Sequence, residues 1–228
     1  MKFIIGNWKM NGTMAAKESL LKSLKSAKTK NKIIMCLPFT LLHGENYGIT
    51  IGAQNISHHE NGAYTGDISG EMLKKAGVKY VLVGHSERRK NHNETNELVK
   101  EKAIAAINNG IIPIICIGET KEENKSGKTI SIIKKMIAKC TPPRGKYIIA
   151  YEPRWAIGTG ITPTLDEIEK IFSKIYEIVP KGIPIIYGGS VNASNAHDIS
   201  TLPHIDGLLI GGASLKSKTF LPIIKSVK

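Results

Sequence analysis

The sequence predicts a single (β/α)8 barrel, and three observations carry that expectation. Eight apolar, β-branched runs each stop at a glycine or a polar residue. Helical patterns lie between most of them. No Ser/Gly/Pro-rich linker or low-complexity stretch cuts the 228 residues into two units. A doubly wound sheet is the other architecture that the same alternation allows.

The runs are 3–5, 33–37, 49–52, 80–83, 111–117, 147–151, 183–187 and 205–210. They are apolar throughout, which is how strands covered on both faces of a parallel sheet read. In the first connection Leu20, Leu21, Leu24 and Ala27 form a stripe at helical spacing. Residues 94–109 read as the fourth helix, ended by Gly110. After the sixth run, Thr164 to Glu167 forms a capping box, and Ile168, Ile171, Phe172, Ile175 and Ile178 share one helical face. Between Leu37 and Ile49 only about a dozen residues remain, the minimum for a parallel crossover. The second connection is therefore expected to be a stub or an irregular loop, within one domain spanning 1–228.

Composition narrows the function classes. The apolar runs are too short for a membrane-spanning helix or a secretory leader, so a cytoplasmic protein is expected. Cys36, Cys116 and Cys140 are scattered and show no C-x-x-C pairing, which argues against disulfides or a zinc site. The formal charge of +13 is mostly lysine spread along the sequence. Arg88, Arg89, Arg144 and Arg154 are the only arginines, and base and phosphate recognition favours arginine. Neither nucleic acid nor a membrane is expected as a partner; an anionic small substrate, or no specific partner, fits better. His58 and His59 are expected to point apart on a Gly/Asn-rich loop with no third ligand, so no metal is expected.

In a barrel the chemistry gathers where strands end at their C-terminal sides. Those positions hold Asn7 and Lys9 after the first run, His85 after the fourth and Glu152 after the sixth. Gly188-Gly189-Ser190 follows the seventh and Gly211-Gly212 the eighth. Paired glycines let backbone N–H groups approach an anion, and turns after the last two strands are where barrels commonly hold phosphate. Glu152, at the mouth of an apolar strand, suits a general base because partial desolvation favours its taking a proton. His85 lies at a helix start, where the dipole disfavours imidazolium and leaves a neutral ring able to donate to a carbonyl. Residues 153–162 read as a lid. The segment "GTGITP" (158–163) lacks the third glycine of a dinucleotide fingerprint, which removes NAD.

The stretches "GNWKMNG" (6–12), "GAQN" (52–55), "NGAYTGDIS" (61–69), "GHSERR" (84–89), "CIGET" (116–120), "YEPRWAIGTG" (151–160), "YGGSV" (187–191) and "GGASL" (211–215) resemble the triosephosphate isomerase family in order and spacing, from end to end. The resemblance implies a TIM barrel that interconverts dihydroxyacetone phosphate and glyceraldehyde 3-phosphate in glycolysis and gluconeogenesis. It implies that Glu152 moves the proton between C1 and C2, that neutral His85 polarises the carbonyl, and that Lys9, with Asn7 beside it, stabilises the enediolate. That division between carboxylate and neutral imidazole is the family's known one. Glu97 is matched to the family's second glutamate, near the lysine. The phosphate is expected on backbone N–H groups of Gly158, Ser190, Gly211 and Gly212, with no metal and no organic cofactor. A homodimer is implied, in which the loop Tyr64-Thr65-Gly66-Asp67 enters the neighbouring subunit, Thr65 lying near the partner subunit's Lys9.

Two departures stand out. Arg154 occupies the third place of the lid hinge, where the family usually has a small aliphatic residue. The chain is also shorter than the roughly 250 residues usual for the barrel, with the missing residues assigned to 38–47 and 129–146. A different phosphate-binding barrel isomerase would share the last two glycine turns without the Lys-His-Glu set. A pure binding role would be favoured only if that set were broken.

Overall fold

The computed structural model describes residues 1–156 and 162–228. Eight parallel strands close on themselves in chain order: β1 (Phe3–Asn7), β2 (Lys32–Leu37), β3 (Thr50–Ala53), β4 (Tyr80–Val83), β5 (Ile112–Ile117), β6 (Ile148–Tyr151), β7 (Ile185–Tyr187) and β8 (Gly207–Ile210). Phe3 stands opposite both Lys32 of β2 and Gly207 of β8, so the sheet has no open edge. The last strand starts two residues later than its apolar run. Its ladder with β1 opens at Gly207, where a Cβ would lie 2.2 Å from the Phe3 carbonyl oxygen.

Successive strand residues explain the apolar runs. Ile5, Ile34, Leu82, Ile114, Ile148, Ile186 and Leu209 fill the barrel interior. Their neighbours Ile4, Met35, Val81, Ile149, Ile185 and Leu208 belong to a second cluster, against the helices. Each such side chain contributes about 1.5–3 kcal/mol on burial.

The helices are α1 (Met14–Lys25), α2 (Gly70–Lys75), α3 (Ser86–Asn91), α4 (Asn96–Asn108), α5 (Lys121–Lys125), α6 (Thr129–Cys140), α7 (Leu165–Ile178), α8 (Ala196–Thr201) and α9 (Ser217–Ser226). Side-chain oxygens of Thr13, Thr95 and Thr164 accept N–H groups in the first turns of α1, α4 and α7, and the Thr164–Glu167 capping box is present. The second connection holds only a 3-10 turn, Phe39–Leu41. In place of a helix, fully buried Lys17 of α1 donates its Nζ to the His43 carbonyl oxygen. Burial pushes that ammonium down, against the attraction of Glu18 and Glu45.

Residues 129–146, where the sequence places some of the missing length, carry the twelve-residue α6, which buries Ile133, Met136, Ile137 and Cys140 on one face. One expectation fails. His58 and His59 do not point apart. Their ring centroids are 3.7 Å apart, and Tyr64 stacks on His59 at 3.6 Å. Gly62, at φ 121°, turns the loop back, and the Tyr64 N–H closes it on the Gly62 carbonyl oxygen.

Candidate active site

Because every strand is parallel, all eight C-terminal ends open on one mouth of the barrel. The chain leaves β1 through Lys9, whose φ of 54° lies in the left-handed region that side chains rarely occupy. Asn7, nearly buried, holds it there: its Oδ1 accepts the Lys9 N–H at 3.0 Å. Between them buried Trp8 donates its Nε1 to the Ser214 carbonyl oxygen at 3.1 Å, tying β1 to the segment after β8. The Lys9 ammonium then reaches Glu87 Oε1 at 2.5 Å.

That contact corrects the assignment of Glu97. Glu97 sits in the exposed first turn of α4 and pairs with Lys139 at 2.8 Å. The carboxylate beside Lys9 is Glu87, one residue into α3, because α3 begins at Ser86 directly under the mouth. Glu87 is inside the "GHSERR" stretch itself.

His85 precedes α3 as its N-cap, and its Nδ1 accepts the Glu87 N–H at 3.2 Å. A ring nitrogen that accepts carries no proton, so the ring's hydrogen is on Nε2. Nε2 faces Glu152 Oε1 at 3.2 Å. The other oxygen of Glu152, Oε2, accepts the Ser86 N–H at 3.1 Å. The carboxylate is only 3% exposed and is thus oriented from two sides.

Glycines allow this close assembly. A Cβ on Gly118, after β5, would lie 1.7 Å from the Glu152 carbonyl oxygen. A Cβ on Gly188 would lie 2.9 Å from Glu152 Cγ. Gly118 had no functional reading in the sequence, although its place between an apolar strand and Glu119 marks a strand end.

A cleft of about 180 Å³ brings together Asn7, Lys9, His85, Glu152, Ser190, Gly211 and Gly212. Leu209 and Asn192, not singled out in the sequence, complete its wall. This is room for a small metabolite. A larger groove, about 760 Å³, runs along the outside between α6 and α7 and contains none of these groups. Gly158 lies outside the described residues, as does the lid over 157–161. The described hinge is well anchored. Arg154 N–H donates to the Glu119 carbonyl oxygen at 3.2 Å, Trp155 Nε1 to the buried Glu119 carboxylate at 2.9 Å, and Ser190 Oγ to the Ala156 carbonyl oxygen at 2.7 Å.

Thr65 and Asp67 are exposed on the projecting loop after β3, which Asp67 braces by accepting the Ser57 hydroxyl at 2.6 Å. Beside Lys9 opens a groove of about 600 Å³, with Met10 and Phe39 on its wall. Met10 is 96% exposed.

What the mouth assembles is one oriented carboxylate, one ring with its proton on the near nitrogen, one ammonium, and two glycine turns opposite. Such a set abstracts a proton next to a carbonyl and carries the resulting charge.

Comparison with known proteins agrees. Residues 2–227 match the family described as "Triosephosphate isomerase". The chain is 44% identical over 244 aligned positions to triosephosphate isomerase of Albidiferax ferrireducens, covering 99% of this chain and 98% of that one. It is 44% identical over 245 positions to that of Nitrosococcus oceani, covering 98% and 97%. Among solved structures, triosephosphate isomerase from Bartonella henselae superposes with a TM-score of 0.88 at 36% identity, covering 99% of this chain and 98% of that one.

Proposed function

This chain belongs to the triosephosphate isomerase family, and from that premise we propose how its mouth works. The protein is an isomerase of glycolysis and gluconeogenesis that interconverts dihydroxyacetone phosphate and D-glyceraldehyde 3-phosphate through an enediolate. Glu152 is the base: it takes the proton from C1 of dihydroxyacetone phosphate and returns it at C2. The single observation that carries this reading is the approach of Glu152 Oε1 to His85 Nε2, which leaves base and hydrogen-bond donor side by side over one small cleft.

His85 donates from Nε2 to the substrate carbonyl. The Glu87 N–H bond to Nδ1 supports that role, since it fixes the tautomer; the pairing of a carboxylate base with a neutral imidazole is the family's known one. Lys9 stabilises the charge that develops on the enediolate oxygens, and Asn7 keeps Lys9 in its turn. Backbone N–H groups of Ser190, Gly211 and Gly212, with Gly158 of the lid, take the phosphate. Binding that non-reacting group drives lid closure and excludes water from the enediolate. No metal or organic cofactor enters the scheme.

The chain acts as one domain, 1–228, in the cytoplasm, and as a homodimer. The exposed loop at Thr65 and Asp67 and the open groove beside Lys9 and Met10 support pairing of two copies, loop into groove. No helix among the described residues is long and apolar enough to cross a membrane.

The test is interconversion of the two triose phosphates by purified protein, with no added metal or cofactor, beside a Lys9→Ala control. Fast turnover that the control lacks supports the scheme. Equal turnover in both would overturn the role of Lys9.

A further inference from the structure

The barrel has a second face, and its charge is unlike that of the mouth. In a closed parallel barrel the connections that lead from helix back to strand all lie at the opposite end, the floor. By element bounds these are residues 1–2, 26–31, 76–79, 109–111, 141–147, 179–184, 202–206 and 227–228. They carry eight basic residues: Lys2, Lys28, Lys30, Lys79, Arg144, Lys146, Lys181 and Lys228. Against them stands one acid, Asp206, whose Oδ2 is engaged by the Ile185 N–H at 2.9 Å.

The mouth end is close to neutral. With the short helices α3 and α5 that start there, Lys9, Arg88, Arg89, Lys90, Lys121, Lys125, Lys128, Arg154 and Lys216 are offset by Glu60, Asp67, Glu87, Glu94, Glu119, Glu122, Glu123 and Glu152. The helix-free crossover at 38–49 adds only Glu45. Folding gathers about half of the net positive charge at the far end, the remainder lying mainly along the helices, and gathering an anionic substrate at the mouth does not account for that half.

Of the floor residues Lys2 is held, its Nζ donating to the Ile205 carbonyl oxygen. The other seven, Lys28, Lys30, Lys79, Arg144, Lys146, Lys181 and Lys228, are open to solvent, and none of the eight makes a salt bridge among the described residues. Asn31 gathers three of the segments. Its Oδ1 accepts the Lys2 N–H at 2.8 Å, and its Nδ2 donates to the Val227 carbonyl oxygen at 2.7 Å.

We propose that the floor is a docking face for an anionic lipid bilayer surface. The charges come from six of the eight connections, those that lead into β1, β2, β4, β6 and β7 and out of α9, so they are distributed round the end of the barrel; a plane suits such a ring, whereas a rod-like duplex meets a strip. They are mostly lysines, point charges suited to headgroup phosphates. The one exposed ring among the described residues of these connections, His204, is already stacked on Tyr176 at 4.0 Å, so the face offers no run of open platforms for stacking bases. Docking this way leaves the mouth and the Thr65 loop free, so an adsorbed enzyme keeps turning over.

The experiment is sedimentation of the purified protein with vesicles of phosphatidylcholine alone and with roughly 30% phosphatidylglycerol, an anionic surface. The protein is expected to sediment only with the anionic vesicles at low salt, and to be released at about 0.5 M salt, where the Debye length has fallen to a few ångströms. The variant K28E/K30E/K146E/K181E touches no residue of the mouth. It is expected to keep its isomerase turnover, which certifies the fold, and to lose vesicle binding at least tenfold. A milder K79Q/R144Q variant should lose an intermediate amount. Absence of binding to anionic vesicles, equal binding to neutral ones, or unchanged binding by the folded fourfold variant would overturn the proposal. So would tighter, equally variant-sensitive binding to duplex RNA, which would transfer the face to nucleic acid.

Discussion

Ser86 N–H and His85 Nε2 hold the two oxygens of Glu152 separately, at 3.1 and 3.2 Å, so consecutive residues of one turn aim a carboxylate that lies 66 positions further along the chain. The orientation of the base is thus a property of the β4–α3 junction as much as of β6.

Glu152→Gln preserves the shape but keeps a single acceptor for the two donors, Ser86 N–H and His85 Nε2–H, and cannot take a proton. Turnover is expected to fall by roughly 10²–10⁴-fold, the usual contribution of a positioned general base, with little change in thermal stability. Steady-state kinetics beside a melting curve checks this; a folded variant with full turnover would remove Glu152 from the mechanism.

Glu87→Ala frees the Lys9 ammonium, whereas Glu97→Ala breaks only an exposed pair with Lys139. The first is expected to lower kcat/KM by roughly tenfold or more and the second to leave it within about twofold, since exposed pairs are worth little. Comparable losses in both would restore Glu97 to the site.

Gly118→Ala places a methyl group where the Glu152 carbonyl oxygen already stands, 1.7 Å away. Backbone must move to admit it, and a displacement of about 1 Å at a base costs on the order of 10²-fold in rate. Activity is expected to fall further than melting temperature; an active Gly118→Ala enzyme would show that β5 yields without disturbing Glu152.

Glu94 is buried, and its Oε1 accepts both Lys102 Nζ and Arg88 Nε at 2.5 Å. Burial alone would raise its carboxyl, but the two cations outweigh it and hold the group below the usual carboxylate value. Lys102 is itself pushed down by burial, which is the cost of the pair. Because the native value is depressed, the unfolded chain takes up the proton first. The stability from Glu94 is complete above the model-peptide range of about 4.3 and disappears as pH falls through the lower native value. Glu94→Gln is expected to lose about 3–5 kcal/mol near neutral pH by stranding Lys102, and to show a flatter acid limb in denaturant titrations.

Cys36, Cys116 and Cys140 are all buried, and burial raises each thiol above its ordinary value. The native protein is expected to resist a thiol reagent at pH 8 and the denatured chain to react at all three positions, as counted by absorbance. Rapid labelling of the native state would mean that the fold opens around β2, β5 or the end of α6.

Much of this was legible in the sequence because burial on both faces makes barrel strands apolar: Ile4 and Ile5, or Ile148 and Ile149, look alike although one faces helices and the other the interior. Asn7, Lys9, His85, Glu152, Ser190, Gly211 and Gly212 could be placed together once the runs ended where they do. Glu87 was missed because the partner of Lys9 depends on where α3 starts, and a shift of one helical turn decides which carboxylate faces the mouth. The His58–His59 stack depends on the positive φ of Gly62, a torsion that residue identity permits without dictating. α6 passed unnoticed even though Ile133, Met136, Ile137 and Cys140 recur at helical spacing. Gly118 needed a distance, which no sequence prints.

The tie from Trp8 to Ser214 spans 206 positions, and β1 has no second neighbour until β8 exists. At about 5–20 residues per second of synthesis, that leaves an interval of tens of seconds during which the segment around Lys9 has emerged without its lock. A left-handed lysine persists only when its surroundings over-determine it, so the nascent chain holds no finished catalytic mouth. Isomerase activity should switch on late in translation, in a single step when the last strand arrives.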